Sequence, residues 1–191
     1  MEKHPLVKEV LYTNSQIDKR CKELAEEISK FYEKQKIKDN AVVMIGLLKG
    51  CIPFMANILK YFTHECITEY MVVSSYIGGT KQIADPKINL DLNVVIKGKS
   101  VLIIEDIIDS GNTLEFVQKY LLFKGAKDVK IVTLVDKPEG RSKNVSIEPD
   151  WTGFIVKNEF LIGFGLDYEE RLRNLPYIAT CDIKKLDNWE W

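Results

Sequence analysis

The chain has 191 residues, of which 46% are hydrophobic and 29% are charged, and its formal net charge is −1. These proportions are typical of a globular protein and exclude a disordered or collagen-like chain. The near-neutral charge argues against the basic surface with which proteins bind nucleic acid or anionic membranes. We therefore expect one domain over residues 1–191, with neither a membrane nor a nucleic acid as partner.

The cysteines and the N-terminal segment bear on the cellular compartment. Four scattered cysteines form no C-x-x-C pair, which argues against a zinc site and fits free thiols in a reducing cytosol. The opening segment MEKHPLVKEV lacks the apolar core of a signal peptide, and no apolar run approaches the ~18 residues that span a bilayer. These features predict a cytoplasmic protein.

The first third of the chain predicts a strand between two helices. Apolar residues recur at helical spacing from Ser15 to about Lys34, which predicts an amphipathic surface helix. The run AVVMIGLL, residues 41–48, is continuous and rich in β-branched residues, as expected of a strand buried on both faces. After Lys49 and Gly50, Pro53 is expected to open a second helix that continues through Tyr61.

The same order returns in the middle of the chain. Ser100–Ile104 predicts a buried strand, followed by the acidic loop EDIIDSGNT and a helix from about Thr113 to Phe123. Another strand is expected over Val129–Val135. Buried strands that alternate with helices predict an α/β fold, with an open, mostly parallel twisted sheet and helices on both faces. Its core is expected to cover about residues 36–150.

Two regions give weaker patterns. The polar stretch from Ser74 to about Leu92 contains paired glycines and one proline, which predicts a long hairpin or a mobile loop. In the C-terminal third, short strands are expected around Phe154 and Phe160, with the charged turn LDYEERLRNLP after them. No role follows from the sequence for Trp189 and Trp191.

The segment VLIIEDIIDSGNT carries the chemistry. Glu105 and Asp106 are expected beyond the carboxyl end of a parallel strand, where ligands bind in open α/β sheets. The Ser110–Thr113 turn opens a helix, whose unpaired N–H groups favour a phosphate. A ribose 5-phosphate fits both, with its diol on the two acids and Asp109 near the anomeric carbon. The alternative, a solvated acidic loop that caps a helix, needs only one acid or hydroxyl.

This segment resembles the 5-phosphoribosyl-1-pyrophosphate motif of phosphoribosyltransferases, in particular their hypoxanthine-guanine branch. The resemblance implies the type I phosphoribosyltransferase fold, with a small base-binding hood built from the N-terminal and C-terminal segments. It implies purine salvage, in which the phosphoribosyl group passes to hypoxanthine or guanine and pyrophosphate leaves. It also implies that Asp109 takes or shares the proton of purine nitrogen 7, while the sugar phosphate is held by Glu105, Asp106, Ser110, Gly111, Asn112 and Thr113.

Further roles follow from the same resemblance. Leu48, Lys49 and Gly50 correspond to the pyrophosphate loop, in which the family holds a cis peptide between the first two. Arg173 corresponds to another pyrophosphate contact. A flexible lid carries a pair that corresponds to Ser75 and Tyr76.

The base and the metal also have counterparts in this sequence. Lys137 corresponds to the residue that hydrogen-bonds the 6-oxo group, and Arg141 to a nearby basic residue of the same loop. Phe160 corresponds to the aromatic residue stacked on the base, and Leu161 to the backbone at its edge. Mg²⁺ is implied as cofactor, with ligands from Glu105, Asp106 and Asp167, and the family resemblance implies a homodimer or homotetramer.

Two alternatives to this function stay open at the level of sequence. The same fold occurs in regulators that bind the sugar phosphate without catalysis, although the balanced charge argues against a nucleic-acid partner. Another base specificity, such as xanthine or a pyrimidine, is the other alternative. The resemblance implies that backbone groups around Leu161 and Asp167 read the 2-position of the base, so the sequence does not rank hypoxanthine, guanine and xanthine.

Overall fold

The computed structural model describes residues 3–35, 41–74, 77–78, 82–83, 86–186 and 188–191. None of the helices in these ranges has the length and apolar content needed to cross a membrane. The strands and helices, in chain order, are β1 (Val7–Tyr12), α1 (Asn14–Lys34), β2 (Val42–Leu47), α2 (Cys51–Tyr61), β3 (Cys66–Ser74), β4 (Ile77–Gly78), β5 (Gln82–Ile83), β6 (Lys87–Leu90), β7 (Ser100–Ile108), α3 (Asn112–Phe123), β8 (Asp128–Asp136), β9 (Trp151–Ile155), β10 (Leu161–Ile162), β11 (Ile178–Cys181) and α4 (Ile183–Leu186).

The central sheet has six strands in the order β6-β3-β2-β7-β8-β9. The five strands from β3 to β9 run parallel, and β6 pairs antiparallel with β3 at one edge. The predicted open, mostly parallel sheet is therefore confirmed. Sequence analysis missed β3 because its burial alternates between half-buried and exposed positions, so it lacks the continuous apolar run of an inner strand.

The two faces of this sheet are covered by different helices. Successive strand residues point to opposite faces, and Met44 and Leu102 accordingly pack with α1 and α2, whereas Ile45 and Ile103 pack with α3. All four side chains are fully buried. Helices therefore cover both faces, as the sequence predicts.

The helix starts are set by local chemistry. Thr13 and Gln16 form a capping box, in which each residue's side chain accepts a hydrogen bond from the other's backbone N–H, and α1 begins at Asn14. Helix α2 begins at Cys51, so the prediction that Pro53 opens it is wrong by two residues. Proline is tolerated at the third position because N–H groups of a first turn have no partner within the helix.

Strand β7 is longer than predicted. It continues past Ile104 to Ile108, because Glu105 pairs with Thr133 and the last residues pair with Val135 and Asp136 of β8. Glu105 and Asp106 therefore lie within a paired strand, near its carboxyl end, and their assignment to a loop is corrected. Helix α3 begins at Asn112, one residue before the predicted start.

The polar stretch after β3 contains antiparallel pairs. Strand β4 pairs with β5, and β6 returns along β3, in agreement with the hairpin alternative. The predicted lid residues Ser75 and Tyr76 lie outside the described residues.

A second, three-stranded sheet in the order β1-β11-β10 lies apart from the central one, and we call it the hood sheet. It joins the two ends of the chain, because Val7 pairs with Cys181 and Leu161 with Thr180. Its own apolar cluster includes Leu6 and Ile162, both fully buried. The predicted strands around Phe154 and Phe160 correspond to β9 and β10.

Candidate active site

Two cavities meet at the carboxyl end of β7. The first, which we call the loop cavity, is lined by residues that include Glu105, Asp109, Ser110, Gly111 and Thr113. The second, the hood cavity, is lined by residues that include Asp106, Asp109, Lys137, Phe160, Leu161 and Asp167. Ile107 and Asp109 line both cavities, so the Asp109 carboxylate lies at the boundary between them.

The loop cavity ends on the start of α3. Gly111 adopts a left-handed conformation, with φ of 78°, and no side chain caps the helix. A side chain at this position would also collide with Ile147 and Val145, so glycine is needed on both counts. The uncapped first-turn N–H groups, with the Thr113 hydroxyl beside them, form an anion-binding end. Asn112 contributes differently, since its side-chain amide donates to Ser142 Oγ at 2.9 Å.

Two adjacent carboxyl groups on β7 line the two cavities, Glu105 the loop cavity and Asp106 the hood cavity. Asp106 Oδ1 accepts a hydrogen bond from the N–H of Ile107 at 2.9 Å, whereas Glu105 Oε2 is enclosed and has no partner among the described residues. Burial raises the pKa of Glu105 well above its usual range, and the charge of Asp106 raises it further. Burial also raises the pKa of Asp106. Burial is thus the largest effect on both acids, and the charge of Arg173 offsets it only in part at Asp106.

Replacing Glu105 with Gln is expected to stabilise the metal-free protein at neutral and higher pH. Because the folded-state pKa of Glu105 is raised, the wild-type protein loses stability as the pH climbs from about 4.5, the ordinary pKa of a glutamate, through the raised folded-state pKa. Glu105→Gln removes this loss, so its Tm should exceed that of the wild type at pH 8 by roughly 2–4 °C for each kcal/mol recovered.

The measurement is a thermal melt in a chelator at several pH values. The Tm difference should shrink towards pH 4.5. A Glu105→Gln variant less stable than the wild type at pH 8 would contradict this account of the buried pair.

The donor set suits a hard divalent ion that brings its own ligands. The described ranges contain no group of three or more His, Cys, Asp or Glu side chains that could enclose a metal ion by themselves. The unpartnered Glu105 oxygen and its neighbour Asp106 nevertheless offer two carboxyl groups whose charged forms are disfavoured by burial and would be stabilised by a cation. Mg²⁺ binds in this manner, through one or two carboxylates with substrate phosphates and waters.

The loop after β2 touches the same acids. The peptide bond between Leu48 and Lys49 is cis, as the family resemblance implies. Gly50 lies directly against Asp106, because a Cβ added there would overlap the Asp106 carboxylate. Gly165 in turn lies against the Gly50 carbonyl and has φ of 99°. The backbone at Gly165 thus lies directly against the backbone at Gly50, where the hood meets the central sheet.

Cys51 follows this loop but is no nucleophile. Burial raises the pKa of its thiol to about 12, so the thiolate is scarce at neutral pH. Cys51 is therefore a buried, inert thiol.

The hood cavity joins a buried cation to an exposed aromatic ring. The Lys137 side chain is only 6% exposed, and its Nζ contacts Asp109 Oδ2 at 3.2 Å. Phe160 is 42% exposed at the cavity wall and meets Tyr168 edge-to-face at 5.9 Å. An aromatic face and a buried donor therefore line one cavity, which is the chemistry that a planar heterocycle with an oxo group requires.

Two cationic side chains, Lys49 and Arg173, lie close to Asp167 and Glu170. Arg173 Nη1 lies 2.8 Å from Asp167 Oδ1 and donates to the Gly165 carbonyl at 2.7 Å. Lys49 is 62% exposed, and its Nζ bonds to Glu170 Oε2 at 2.9 Å. Arg173 Nη2 lies 3.3 Å from the same Glu170 oxygen. The structure thus brings Lys49 and Arg173 to the Glu170 carboxylate, although 124 residues separate them in the chain (173 − 49).

The comparisons with known proteins decide the family. The family model for the phosphoribosyl transferase domain matches residues 9–169. The chain is 46% identical over 174 residues to the hypoxanthine-guanine phosphoribosyltransferase of Lactococcus lactis, covering 91% of each chain. The chain belongs to the hypoxanthine-guanine phosphoribosyltransferase family.

Solved structures support the same family. A hypoxanthine phosphoribosyltransferase from Staphylococcus aureus superimposes with a TM-score of 0.87 at 39% identity, covering 95% of each chain. A hypoxanthine phosphoribosyltransferase from Trypanosoma cruzi, from work on the role of its C-terminal region in oligomeric state and activity, gives 0.91 at 30% identity over 98% of each chain. The type I phosphoribosyltransferase fold is therefore shown.

Arg141 links the loop that carries Asp109 to the loop that carries Lys137 in this phosphoribosyltransferase. Its Nη1 donates to the carbonyls of Ile108, Asp109 and Lys137 at 2.9, 2.8 and 3.2 Å. Its Nη2 pairs with the buried carboxylate of Asp136. Because the guanidinium is occupied by these groups, Arg141 positions the backbone beside Asp109 and Lys137 and does not itself line either cavity.

Replacing Arg141 with Lys is expected to lower kcat/KM by about 10-fold to 100-fold for this phosphoribosyltransferase. The lysine ammonium can keep the ion pair with Asp136, but it cannot bond three carbonyls at once. The loop that carries Asp109 and the loop that carries Lys137 should therefore shift relative to each other. Steady-state kinetics with a thermal melt test this, and Lys143→Met, which removes a nearby exposed cation, is the control. Wild-type kinetics in Arg141→Lys would contradict a positioning role.

Sequence reasoning missed the role of Arg141 and the involvement of Glu170. The acceptors of Arg141 are mainly backbone carbonyls, which every residue carries, so no side-chain pattern marks them. Glu170 lies within the charged turn. Its negative charge could have indicated a contact with Lys49 and Arg173, since both cations are assigned to one anion.

Proposed function

We propose that this phosphoribosyltransferase joins the phosphoribosyl group of 5-phosphoribosyl-1-pyrophosphate to nitrogen 9 of hypoxanthine or guanine, giving IMP or GMP and pyrophosphate. The observation that carries the proposal is the position of Asp109 on the shared wall of the loop cavity and the hood cavity. Sugar phosphate in one cavity and base in the other would bring the anomeric carbon and the attacking nitrogen together beside this carboxylate.

The loop cavity is assigned to the sugar phosphate. The uncapped start of α3 supports a 5-phosphate there, held by Ser110, Gly111, Asn112 and Thr113. Glu105 and Asp106 accept hydrogen bonds from the ribose hydroxyls. This assignment explains why two carboxylates lie beside an anion-binding turn.

The hood cavity is assigned to the purine. Phe160 stacks on the ring, Leu161 offers backbone groups to its edge, and Lys137 donates to the 6-oxo group. Asp109 accepts the proton of nitrogen 7 as nitrogen 9 attacks, and its contact with Lys137 at 3.2 Å holds the carboxylate at the edge of the base. A 6-amino group offers Lys137 no comparable acceptor, which disfavours adenine.

Pyrophosphate leaves towards Leu48, Lys49, Gly50 and Arg173. Lys49 and Arg173 supply positive charge for the oxygens that gain negative charge in the transition state. Mg²⁺, when bound through Glu105, Asp106 and Asp167, supplies further charge for the same oxygens. The convergence of Lys49 and Arg173 on one oxygen of Glu170 supports the assignment of an anion to this place.

The remaining assignments concern assembly. We infer that residues 1–191 act as one domain, in which the hood sheet covers the base. A homodimer or homotetramer is inferred from the family and from exposed apolar side chains such as Phe123, which is 89% exposed. Light scattering at two protein concentrations measures this mass.

The function is tested with purified protein, 5-phosphoribosyl-1-pyrophosphate and Mg²⁺. Hypoxanthine, guanine, xanthine, adenine and uracil are offered separately, and nucleotide formation is followed by absorbance. Product with hypoxanthine or guanine, and none with adenine, is the expected result. Tight binding of phosphoribosyl pyrophosphate without product from any base would overturn the proposal in favour of a sugar-phosphate-sensing regulator.

A further inference from the structure

One carboxylate holds both cations that are assigned to pyrophosphate. Glu170 Oε2 lies 2.9 Å from Lys49 Nζ and 3.3 Å from Arg173 Nη2. The proposed function has no use for this residue. Its oxygen nevertheless stands where Lys49 and Arg173 converge, which is the position that an incoming anion would take.

We propose that Glu170 is an internal competitor for pyrophosphate, whose carboxylate occupies the place of a pyrophosphate oxygen and is displaced when the ligand binds. This inference rests on the proposed function, because it assumes that Lys49 and Arg173 receive pyrophosphate. On this inference, Glu170 lowers the affinity of the site for the pyrophosphate group, both in the substrate and in the released product.

The backbone holds Glu170 in place for this role. The N–H of Tyr168 donates to the Arg171 carbonyl at 3.1 Å, and the reverse bond measures 2.9 Å, which closes a tight turn around residues 169 and 170. The N–H of Glu170 also donates to Asp167 Oδ2 at 2.9 Å. The start of the side chain is thus fixed beside Asp167, the proposed metal ligand.

The Glu170 carboxylate can separate from the two cations. The Glu170 side chain is 62% exposed, as is that of Lys49, and exposed ion pairs are weak because water and salt screen them. A pyrophosphate group carries more negative charge than one carboxylate and can contact both cations at once, so it displaces Glu170. Part of its binding free energy is then offset by the ion pairs that are lost.

The competition has a predictable effect on turnover. A carboxylate that returns to Lys49 and Arg173 as pyrophosphate departs stabilises the empty site and so favours product release. Removing its charge should therefore tighten pyrophosphate binding, the opposite of what loss of an ordinary binding residue does.

The test compares Glu170→Gln with Glu169→Gln. Both variants remove one negative charge from the same turn, but Glu169 makes no ion pair among the described residues. Affinity for pyrophosphate with Mg²⁺ is measured by calorimetry on the full chain, with thermal melts to verify folding. We expect Glu170→Gln to bind roughly threefold to tenfold more tightly than wild type, and Glu169→Gln to differ by less than about twofold.

A second variant identifies the contact. In a Lys49→Met background, Glu170→Gln should improve affinity by a smaller factor, because one of the two competing ion pairs is already absent. Equal affinities for Glu170→Gln and Glu169→Gln, or weaker binding by Glu170→Gln, would overturn the inference. Absence of pyrophosphate binding by the wild type would instead overturn the assignment of Lys49 and Arg173, on which the inference depends.

Discussion

Asp109→Asn is expected to lower kcat by about 10²–10⁴-fold while changing the affinity for phosphoribosyl pyrophosphate by less than about threefold. The amide has nearly the shape of the carboxylate but cannot accept a proton from nitrogen 7. The variant keeps its place on the wall between the cavities. The Asp109 side chain is 51% exposed, and an asparagine oxygen can still accept from the buried Lys137 ammonium, so the fold should be retained and a thermal melt checks this.

The measurement for Asp109→Asn combines steady-state kcat with a binding titration. Glu139→Gln is a matched control, because it removes an exposed carboxylate from the short turn after Lys137 without lining either cavity. Loss of turnover and of affinity by equal factors would show that Asp109 acts in binding rather than in proton transfer.

Gly50→Ala should reduce kcat/KM by roughly 100-fold, because a methyl group there would overlap the Asp106 carboxylate. Either Asp106 swings out of its position or the loop of Lys49 shifts away from the site. Both movements separate groups that the reaction requires together. The backbone of Gly50 has φ of −63°, so alanine is acceptable to the backbone itself and the effect is confined to the contact.

A double variant shows whether Asp106 transmits this effect. Asp106→Ala alone removes the carboxylate, and the double variant also removes the collision. If Gly50 matters through Asp106, the double variant should be no worse than Asp106→Ala, so that the two losses are not additive. Wild-type kcat/KM in Gly50→Ala would contradict the steric argument.

The parts of the fold that sequence predicts are those whose signal is local. The continuous apolar run of β2 and the helical spacing of α1 each lie within one segment, and both elements form close to the expected bounds. The end of β7 is different, because residues after Ile104 remain in the sheet through their pairing with β8. A strand's length therefore depends on a partner that its own sequence does not contain.

The site divides in the same way. The motif around Asp109 is continuous in the chain, so its residues could be singled out together. The contact of Lys49 with Glu170 joins residues 121 positions apart, and whether two such charges meet depends on how the hood packs. Arg141 binds carbonyls of its own and a neighbouring loop, and only the folded backbone shows which carbonyls those are.

The pairing of β1 with β11 sets an order of events during synthesis. Val7 leaves the ribosome early, yet its partner Cys181 is made 174 residues later (181 − 7), a delay of roughly 10–35 s at ~5–20 residues per second. The central sheet, which ends with β9 at Ile155, can assemble during that interval. A nascent chain halted before Ile178 therefore has the segment that forms the loop cavity, but it lacks the strand that joins both ends of the hood sheet.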